Sequence, residues 1–160
     1  MKKERLVFMG TPDICLPSLK QLLKTQQLVG IVTQPDKPQG RGQKQRFSPV
    51  KQLALDHQIP MAQPNTKDSI KDALDAFHPT LIIVFAYGRI LPKSVTDQYI
   101  CLNLHASLLP AYRGASPIQA ALLNNDTQTG ITLMRMNERM DEGNIITQHH
   151  CDITQTDNLE

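Results

Sequence analysis

Short apolar runs alternate with amphipathic segments along this chain, and that alternation is the feature that most restricts its fold. Residues 6–9, 28–33 and 81–86 are runs of strand length, and leucines follow the first run at positions 19, 22 and 23. A spacing of three and four residues places leucines on one side of a helix. Alternating strands and helices are typical of crossover connections, so we predict an α/β, Rossmann-like, mostly parallel sheet flanked by helices.

The run at residues 81–86 is rich in β-branched residues and apolar on both faces, which predicts the central strand. Further strands are expected at 100–105, 131–136 and 144–153. Helices are expected at 50–57, at 69–77 with Ser69 as N-cap, and at 117–124 with Pro117 in the first position. Residues 156–158 have the pattern of another helix start, so we expect the 160-residue chain to be one domain truncated at its C-terminal end.

Composition limits the possible partners. A hydrophobic fraction of 40% in 160 residues supplies one core, and a net charge of +2 does not make the whole chain a nucleic-acid-binding polycation. Three cysteines without a CxxC pair indicate neither a disulfide framework nor a zinc site, so we expect a cytoplasmic protein without metal. No apolar run approaches the roughly 20 residues of a membrane span. We expect a monomer without membrane contact.

Basic residues are concentrated between positions 36 and 46. Lys37, Arg41, Lys44 and Arg46 stand there against one acid, Asp36, which gives the segment a charge of +3 and leaves −1 for the rest of the chain. A cationic segment with glycines around Arg41 suits a phosphate-rich partner. Charge pattern alone favours a solvated, flexible linker.

The first strand is followed by Gly10-Thr11-Pro12-Asp13. A dinucleotide site needs a glycine-rich turn that lets the backbone approach a pyrophosphate, and this turn has one glycine and an added negative charge. The sequence therefore argues against NAD binding despite the α/β pattern.

Asn103 and His105 are the strongest catalytic candidates. Residues two apart on a strand share a face, with Cα atoms roughly 6.6 Å apart, and ligands of parallel sheets collect at the carboxyl ends of strands. An imidazole can transfer a proton near neutral pH, and a carboxamide can donate to a developing oxyanion. Asp141, on a later loop, could orient the imidazole. The structural alternatives are a strand-end asparagine, an interior histidine and a turn aspartate.

Motifs along the whole chain combine such polar residues with glycine and proline turns: Asn103-Leu104-His105-Ala106-Ser107-Leu108-Leu109-Pro110, Arg113-Gly114, Pro117-Ile118-Gln119, Met140-Asp141-Glu142-Gly143, Gly10-Thr11-Pro12-Asp13, Thr33-Gln34-Pro35-Asp36-Lys37-Pro38, Gly40-Arg41-Gly42 and Ala86-Tyr87-Gly88-Arg89-Ile90-Leu91-Pro92. Together they resemble the 10-formyltetrahydrofolate-dependent formyltransferase family, in particular its branch that acts on methionyl-tRNA. The resemblance implies the formyltransferase fold and covers essentially the whole chain.

The resemblance also implies roles for individual residues. A formyl group would pass from 10-formyltetrahydrofolate to the α-amino group of methionine on initiator tRNA, with Asn103, His105 and Asp141 as the catalytic set. Arg41 would contact the tRNA, together with Lys37, Lys44 and Arg46. The folate would be lined by two segments, Ser107, Leu108, Leu109 and Pro110, and Phe85, Ala86, Tyr87, Gly88, Ile90 and Leu91.

Three alternatives remain open within and beside this family. The turn after the first strand lacks the phosphate-binding glycine-serine pair of glycinamide ribonucleotide transformylase, which argues against that activity. Sugar-nucleotide or other amine formyltransferases are harder to separate, although the basic segment at 36–46 favours tRNA. The chain is expected to lack the C-terminal β-barrel domain that the family's tRNA-specific members carry, so an inactive folate-binding or tRNA-binding remnant is the third alternative.

Overall fold

The computed structural model of the chain describes residues 4–39 and 44–159. A single 3₁₀ turn, Asp13–Cys15, follows the first strand. The elements within the described ranges are, in chain order, β1 (Arg5–Gly10), α1 (Leu16–Thr25), β2 (Gln27–Val32), β3 (Lys37–Gln39), β4 (Lys44–Arg46), α2 (Pro49–Asp56), β5 (Met61–Ala62), α3 (Lys67–Phe77), β6 (Leu81–Phe85), α4 (Lys93–Gln98), β7 (Cys101–His105), α5 (Pro117–Leu123), β8 (Gln128–Arg135) and β9 (Ile145–Asp152).

Seven of the described strands form one sheet in the order β5-β2-β1-β6-β7-β8-β9. The four pairings from β5 to β7 are parallel, and the two that add β8 and β9 are antiparallel. The predicted mostly parallel sheet is confirmed, with β6 in the middle position. The strand order reverses between β1 and β6, and the crevice at such a switch point is where open α/β sheets bind ligands.

Apolar side chains cover both faces of the parallel part of the sheet. Consecutive residues of a strand point to opposite faces, so Val7 of β1 packs in one buried cluster with Leu74 of α3, while Phe8 packs in the other with Leu19 of α1. All four side chains are fully buried, and each such side chain contributes about 1.5–3 kcal/mol through removal from water. The two clusters make the sheet a rigid platform for the loops at its carboxyl edge.

The start of α3 differs from the prediction. The N-cap is Thr66, whose hydroxyl oxygen accepts from the Ser69 backbone N–H at 3.1 Å, and the Ser69 hydroxyl oxygen accepts in return from the Thr66 N–H at 2.9 Å. The prediction of Ser69 as N-cap is therefore wrong, because Ser69 is the third helical residue of a capping box.

Two further segments depart from the expectations. The basic segment between β2 and α2, where the charge pattern favours a linker, contains the antiparallel hairpin of β3 and β4, in which Lys37 pairs with Arg46. Residues 153–159 form no helix; they turn instead, and the Asp157 carboxylate accepts from the Thr154 N–H at 2.8 Å. No helix is formed at 156–158 within the described residues.

Candidate active site

Asn103 and His105 lie at the carboxyl end of β7, as predicted. Along β7 every second residue is buried, and Asn103 and His105 share one face with 8% and 6% exposure. Asn103 is flanked by Val84 of β6 and Met134 of β8. Two polar side chains so deeply placed in a sheet need hydrogen-bond partners or a ligand.

The His105 ring is held from one side by backbone. Its Nε2 atom lies 2.8 Å from the carbonyl oxygen of Tyr112. A carbonyl oxygen only accepts, so Nε2 carries a hydrogen and donates it. The other ring nitrogen, Nδ1, faces the Oδ2 atom of Asp141 at 3.7 Å. Nδ1 is therefore the nitrogen left to exchange a proton with a substrate.

Asp141 reaches the imidazole from the loop between β8 and β9. Its backbone is left-handed, with φ at 51°, and its carboxylate accepts from the Gly114 N–H at 2.8 Å. Close packing at Gly143 holds the same loop, since a Cβ there would stand 1.7 Å from the Arg135 carbonyl oxygen. The loop thus brings together the predicted Asp141 and His105.

The Asn103 carboxamide is available to a ligand. Within residues 4–39 and 44–159 no group hydrogen-bonds with it, and the Tyr87 hydroxyl is the one fully buried side-chain polar atom there without a partner. The Asn103 amide therefore still reaches solvent at the site. A free carboxamide beside an oriented imidazole can donate to an oxygen that gains negative charge during a reaction.

The segment after β7 is held by a hydrogen bond between its own residues and by hydrogen bonds from β8 and β9. The Ser107 hydroxyl donates to the Ala111 carbonyl at 2.6 Å, and the Thr132 hydroxyl donates to the Ser107 carbonyl at 2.7 Å. The Gln148 side-chain amide donates to the Leu109 carbonyl at 2.9 Å. Sequence reasoning missed Thr132 and Gln148, because no local pattern marks a side chain that hydrogen-bonds to a distant backbone group.

The four residues predicted to line the folate therefore differ in what they offer. Ser107 and Leu109 are buried, Leu108 is half-buried and Pro110 is exposed. The Leu109–Pro110 peptide bond is cis. Pro110 is the member of this group with an open surface.

The predicted folate-lining residues of the loop after β6 are likewise part buried and part exposed. Phe85, Tyr87 and Leu91 are buried in the core, whereas Ile90 is 58% exposed. The remaining two predicted residues of this loop are exposed and have left-handed backbones, with φ at 46° for Ala86 and 77° for Gly88. The loop thus presents backbone peptide groups and one apolar side chain, which suits the edge and face of a flat, amide-like ring.

An open cleft of about 380 Å³ adjoins this loop and is lined by Gln34, Pro35, Asn65, Gly88 and Arg89. These residues follow β2, β5 and β6, all at the carboxyl edge of the sheet. The Arg89 guanidinium donates to the Pro64 and Asn65 carbonyls at 2.6 Å each. Asn103, His105 and Asp141 are not among the residues that line the cleft.

Burial keeps two further ionisable side chains, Cys101 and Tyr87, in their protonated forms. Burial raises the pKa of Cys101 to about 12, so its thiol stays protonated and packs rather than attacks. Burial also raises the pKa of the Tyr87 hydroxyl.

In the described part of the chain no group of three His, Cys, Asp or Glu side chains could hold a metal ion, and no helix there is long and apolar enough to cross a membrane.

A cluster of hydrogen-bonded polar side chains holds the start of the basic segment, at Asp36. The Lys51 ammonium pairs with Asp36 and donates to the Gln63 side chain at 2.9 Å, and the Gln63 amide donates to Asp36 at 2.9 Å. The Lys51 hydrogen bond holds the pKa of the Asp36 carboxyl below its usual range. The Arg46 residue is exposed.

Three of the predicted tRNA contacts are placed by these strands. Lys37 begins β3, and Lys44 and Arg46 begin and end β4. Arg41 lies outside the described residues.

Comparison with known sequences identifies one family over nearly the whole chain. Residues 4–160 match the formyl transferase family. A methionyl-tRNA formyltransferase of a Nitratiruptor species is 48% identical over 158 residues, which cover 96% of this chain and 52% of that protein. The methionyl-tRNA formyltransferase of Alkaliphilus oremlandii is 44% identical over 154 residues, covering 93% and 50%. The chain spans about half the length of the curated relatives it matches.

Solved structures share the fold at lower identity. A phosphoribosylglycinamide formyltransferase from Bacillus halodurans superposes with a TM-score of 0.78 at 23% identity, over 97% of this chain and 83% of that one. A formyltetrahydrofolate deformylase from Pseudomonas syringae gives 0.78 at 20% identity, over 98% and 54%. The predicted formyltransferase fold is confirmed.

Proposed function

Because the chain belongs to the formyl transferase family, we propose that it transfers a formyl group from 10-formyltetrahydrofolate to the α-amino group of methionine on initiator tRNA. The observation that carries the proposal is the placement of His105 between the Tyr112 carbonyl and Asp141, beside the Asn103 carboxamide, which has no partner in the described part of the chain. The relatives named methionyl-tRNA formyltransferase support the choice of acceptor.

Asn103 and His105 would stabilise the charge that develops in the reaction. The folate donor is a substrate that supplies an electrophilic formyl carbon, and the neutral methionyl amine attacks that carbon. The Asn103 amide then donates to the oxygen that becomes negative, and His105 in its cationic form donates to the same oxygen through Nδ1–H. Preorganised donors of this kind act strongly because they need no rearrangement during the reaction.

Asp141 would complete the proton transfers. As the new carbon–nitrogen bond forms, the amine loses a proton to Asp141, directly or through one water. His105 gives its Nδ1 proton to the folate N10 as the old carbon–nitrogen bond breaks. The proton on Asp141 returns to His105, so the enzyme ends each turnover in its starting state.

Two surfaces would hold the substrates. The folate would lie against the exposed part of the loop after β6, at Ala86, Gly88 and Ile90, and against Pro110. The buried and half-buried members of the predicted set would support these contacts from below: Phe85, Tyr87, Leu91, Ser107, Leu108 and Leu109. The basic segment would bind the tRNA phosphates through Lys37, Arg41, Lys44 and Arg46.

The domain assignment is part of the same proposal. The chain would form the catalytic domain over residues 1–160, and the tRNA contacts of a β-barrel domain would lie outside it. Its ability to act on tRNA by itself is therefore the quantity to measure.

The test is to incubate the purified chain with 10-formyltetrahydrofolate and methionyl initiator tRNA and to measure formylmethionine after hydrolysis of the ester. Formation that is lost in His105→Ala supports the proposal. Binding of folate without formylmethionine would indicate an inactive remnant. Formylation of an amino sugar nucleotide in place of methionyl-tRNA would reassign the acceptor.

A further inference from the structure

The loop between β7 and α5 contacts both His105 and Asp141. At one point the Tyr112 carbonyl oxygen lies 2.8 Å from His105 Nε2, and two residues later the Gly114 N–H donates to Asp141 at 2.8 Å. The 3.7 Å separation between His105 Nδ1 and Asp141 therefore depends on where residues 112–114 lie. We infer that Tyr112 is a positioning residue for the proposed transfer, with its hydroxyl anchoring the carbonyl that fixes the His105 tautomer.

The Tyr112 backbone does not hold this position by local preference. Its φ is 54°, in the left-handed region that residues with a side chain seldom adopt. Such a conformation persists only where the surrounding structure enforces it. The hydroxyl of Tyr112 is one of the groups that tie this residue to its surroundings.

The Tyr112 side chain is tied to the segment that ends α5. The hydroxyl donates to the Asp126 carboxylate at 2.7 Å and accepts from the Asn124 side-chain amide at 3.0 Å. The hydrogen bond to Asp126 raises the pKa of Tyr112, which keeps the phenol protonated as a donor at neutral pH. Asn124 is the C-cap of α5, and the Asp126 N–H donates to the Ala121 carbonyl at 3.0 Å. The anchor is thus part of a hydrogen-bonded helix end.

The consequence for His105 is a choice of tautomer. With the Tyr112 carbonyl in place, the neutral ring keeps its hydrogen on Nε2 and leaves Nδ1 as the basic nitrogen. If the carbonyl moves away, the neutral ring favours the Nδ1–H form, with the Asp141 carboxylate as acceptor. The cationic ring of the proposed transfer then loses the Nε2–H hydrogen bond that orients its Nδ1–H donor. Loss of the anchor should therefore change turnover while leaving the substrate-binding surfaces intact.

The inference rests on the proposed function, so its test includes a measurement that needs no activity. Nitrogen-15 NMR of the imidazole, assigned by comparison with His105→Gln, reports which ring nitrogen carries the hydrogen. The variant is Tyr112→Phe, which keeps the ring and removes the hydroxyl. The matched control is Tyr99→Phe, which removes another hydroxyl that donates to a carboxylate, Asp75, away from the site.

We expect His105 in the unaltered chain to be the Nε2–H tautomer, and Tyr112→Phe to raise the Nδ1–H population. Turnover should fall about fivefold to tenfold, the effect of one lost hydrogen bond, with KM for both substrates unchanged. Tyr99→Phe should change neither quantity. An unchanged tautomer in a folded Tyr112→Phe variant would overturn the inference.

A second pair of variants keeps the test decisive if Tyr112→Phe fails to fold. Asp126→Ala removes the acceptor and should reproduce the tautomer change, whereas Asp126→Asn retains an amide oxygen that accepts from the hydroxyl and should restore most of the original tautomer. Equal effects of the two substitutions would contradict the inference. A chain that transfers no formyl group at all, but shows these tautomer changes, would refute the proposed function and leave the role of Tyr112 supported.

Discussion

The Nδ1 atom of His105 and the Oδ2 atom of Asp141 stand 3.7 Å apart, slightly beyond direct hydrogen-bond distance. Asp141 is held in place by the Gly114 N–H and His105 by the Tyr112 carbonyl, so neither depends on the other for its position. Both side chains are largely buried. The two groups are therefore in contact without a hydrogen bond between them, and each can exchange a proton with a substrate.

Removal of the Asp141 charge should abolish catalysis without loss of the fold. In Asp141→Asn the amide oxygen still accepts from Gly114, and asparagine tolerates the left-handed φ. Because the proposed proton acceptor is gone, we expect kcat to fall by about 10²- to 10⁴-fold with little change in melting temperature. Initial-rate kinetics and thermal denaturation measure the two effects. Asp152→Asn, an exposed change on β9, is the control, and equal kcat losses in the two variants would contradict the assignment.

Asn103 should act mainly on kcat as well. Its carboxamide has no partner in the described part of the chain, so Asn103→Ala breaks no hydrogen bond among those residues. Loss of one oxyanion donor lowers kcat by about 10²- to 10³-fold. Single-turnover formylation at saturating folate measures this. If the variant instead raised KM for folate at unchanged kcat, Asn103 would be a binding residue and not a donor to the oxyanion.

The shared face of Asn103 and His105 could be predicted from the sequence, because side chains two residues apart on a strand point to the same side of the sheet. Asp141 could not be placed that way. It reaches His105 only because the loop after β8 folds back over β7, held by the close approach at Gly143, and such a contact between distant segments has no local pattern. The family resemblance supplied this assignment, and the spacing did not.

The same distinction accounts for the other differences. The apolar run at residues 81–86 predicted β6 as the central strand, since a strand buried on both faces consists of consecutive apolar residues. The contact of the Tyr112 carbonyl with His105 could not be predicted in this way, because every residue type has a backbone carbonyl. Ser69 was mistaken for the N-cap because Thr66 and Ser69 are both good caps, and only the backbone at Thr66, with φ −119° and ψ 168°, decides between them.

Gly143 should be intolerant of any side chain. A Cβ at this position would stand 1.7 Å from the Arg135 carbonyl oxygen, so Gly143→Ala must push the loop away from β8. We expect Asp141 to move from His105 and kcat to fall at least about tenfold, since small displacements of reacting groups have large effects. Gly114→Ala is the informative comparison: no described atom within 4 Å opposes a Cβ there, so its penalty comes from its φ of 100°. A Gly143→Ala enzyme with full activity would show that the loop adapts.

Thiol labelling should separate the three cysteines. Burial raises the pKa of Cys15 to about 11 and that of Cys101 to about 12, whereas Cys151 is exposed. Only the thiolate reacts, and at pH 8 a thiol with a pKa of 11 is roughly 0.1% ionised. We expect iodoacetamide to add one group to the folded chain at pH 8, and none to Cys151→Ser, as read by intact mass. Labelling of two sites in the folded chain would contradict the burial of Cys15 and Cys101.

The Lys51–Asp36 pair should make stability depend on acid pH. The Lys51 hydrogen bond lowers the pKa of Asp36 in the folded chain, so the pair's contribution is complete above the unfolded pKa of about 3.9 and is lost as pH falls through the folded value. Both side chains are largely buried, at 12% and 16% exposure. We therefore expect Lys51→Met to lower the free energy of unfolding by about 1–2 kcal/mol at pH 7, and the difference from the unaltered chain to shrink below pH 4.

Urea denaturation at pH 7, 5, 4 and 3 measures that difference. Lys93→Met is the matched control, because Lys93 pairs with Asp97 and Glu138 on an exposed surface and its loss should have little effect at any of these pH values. Lys51→Arg should keep most of the stability, since the cation remains. A Lys51→Met deficit of the same size at pH 3 as at pH 7 would mean that Lys51 stabilises through its packing on the Phe47 ring, 4.1 Å away, and not through the carboxylate of Asp36.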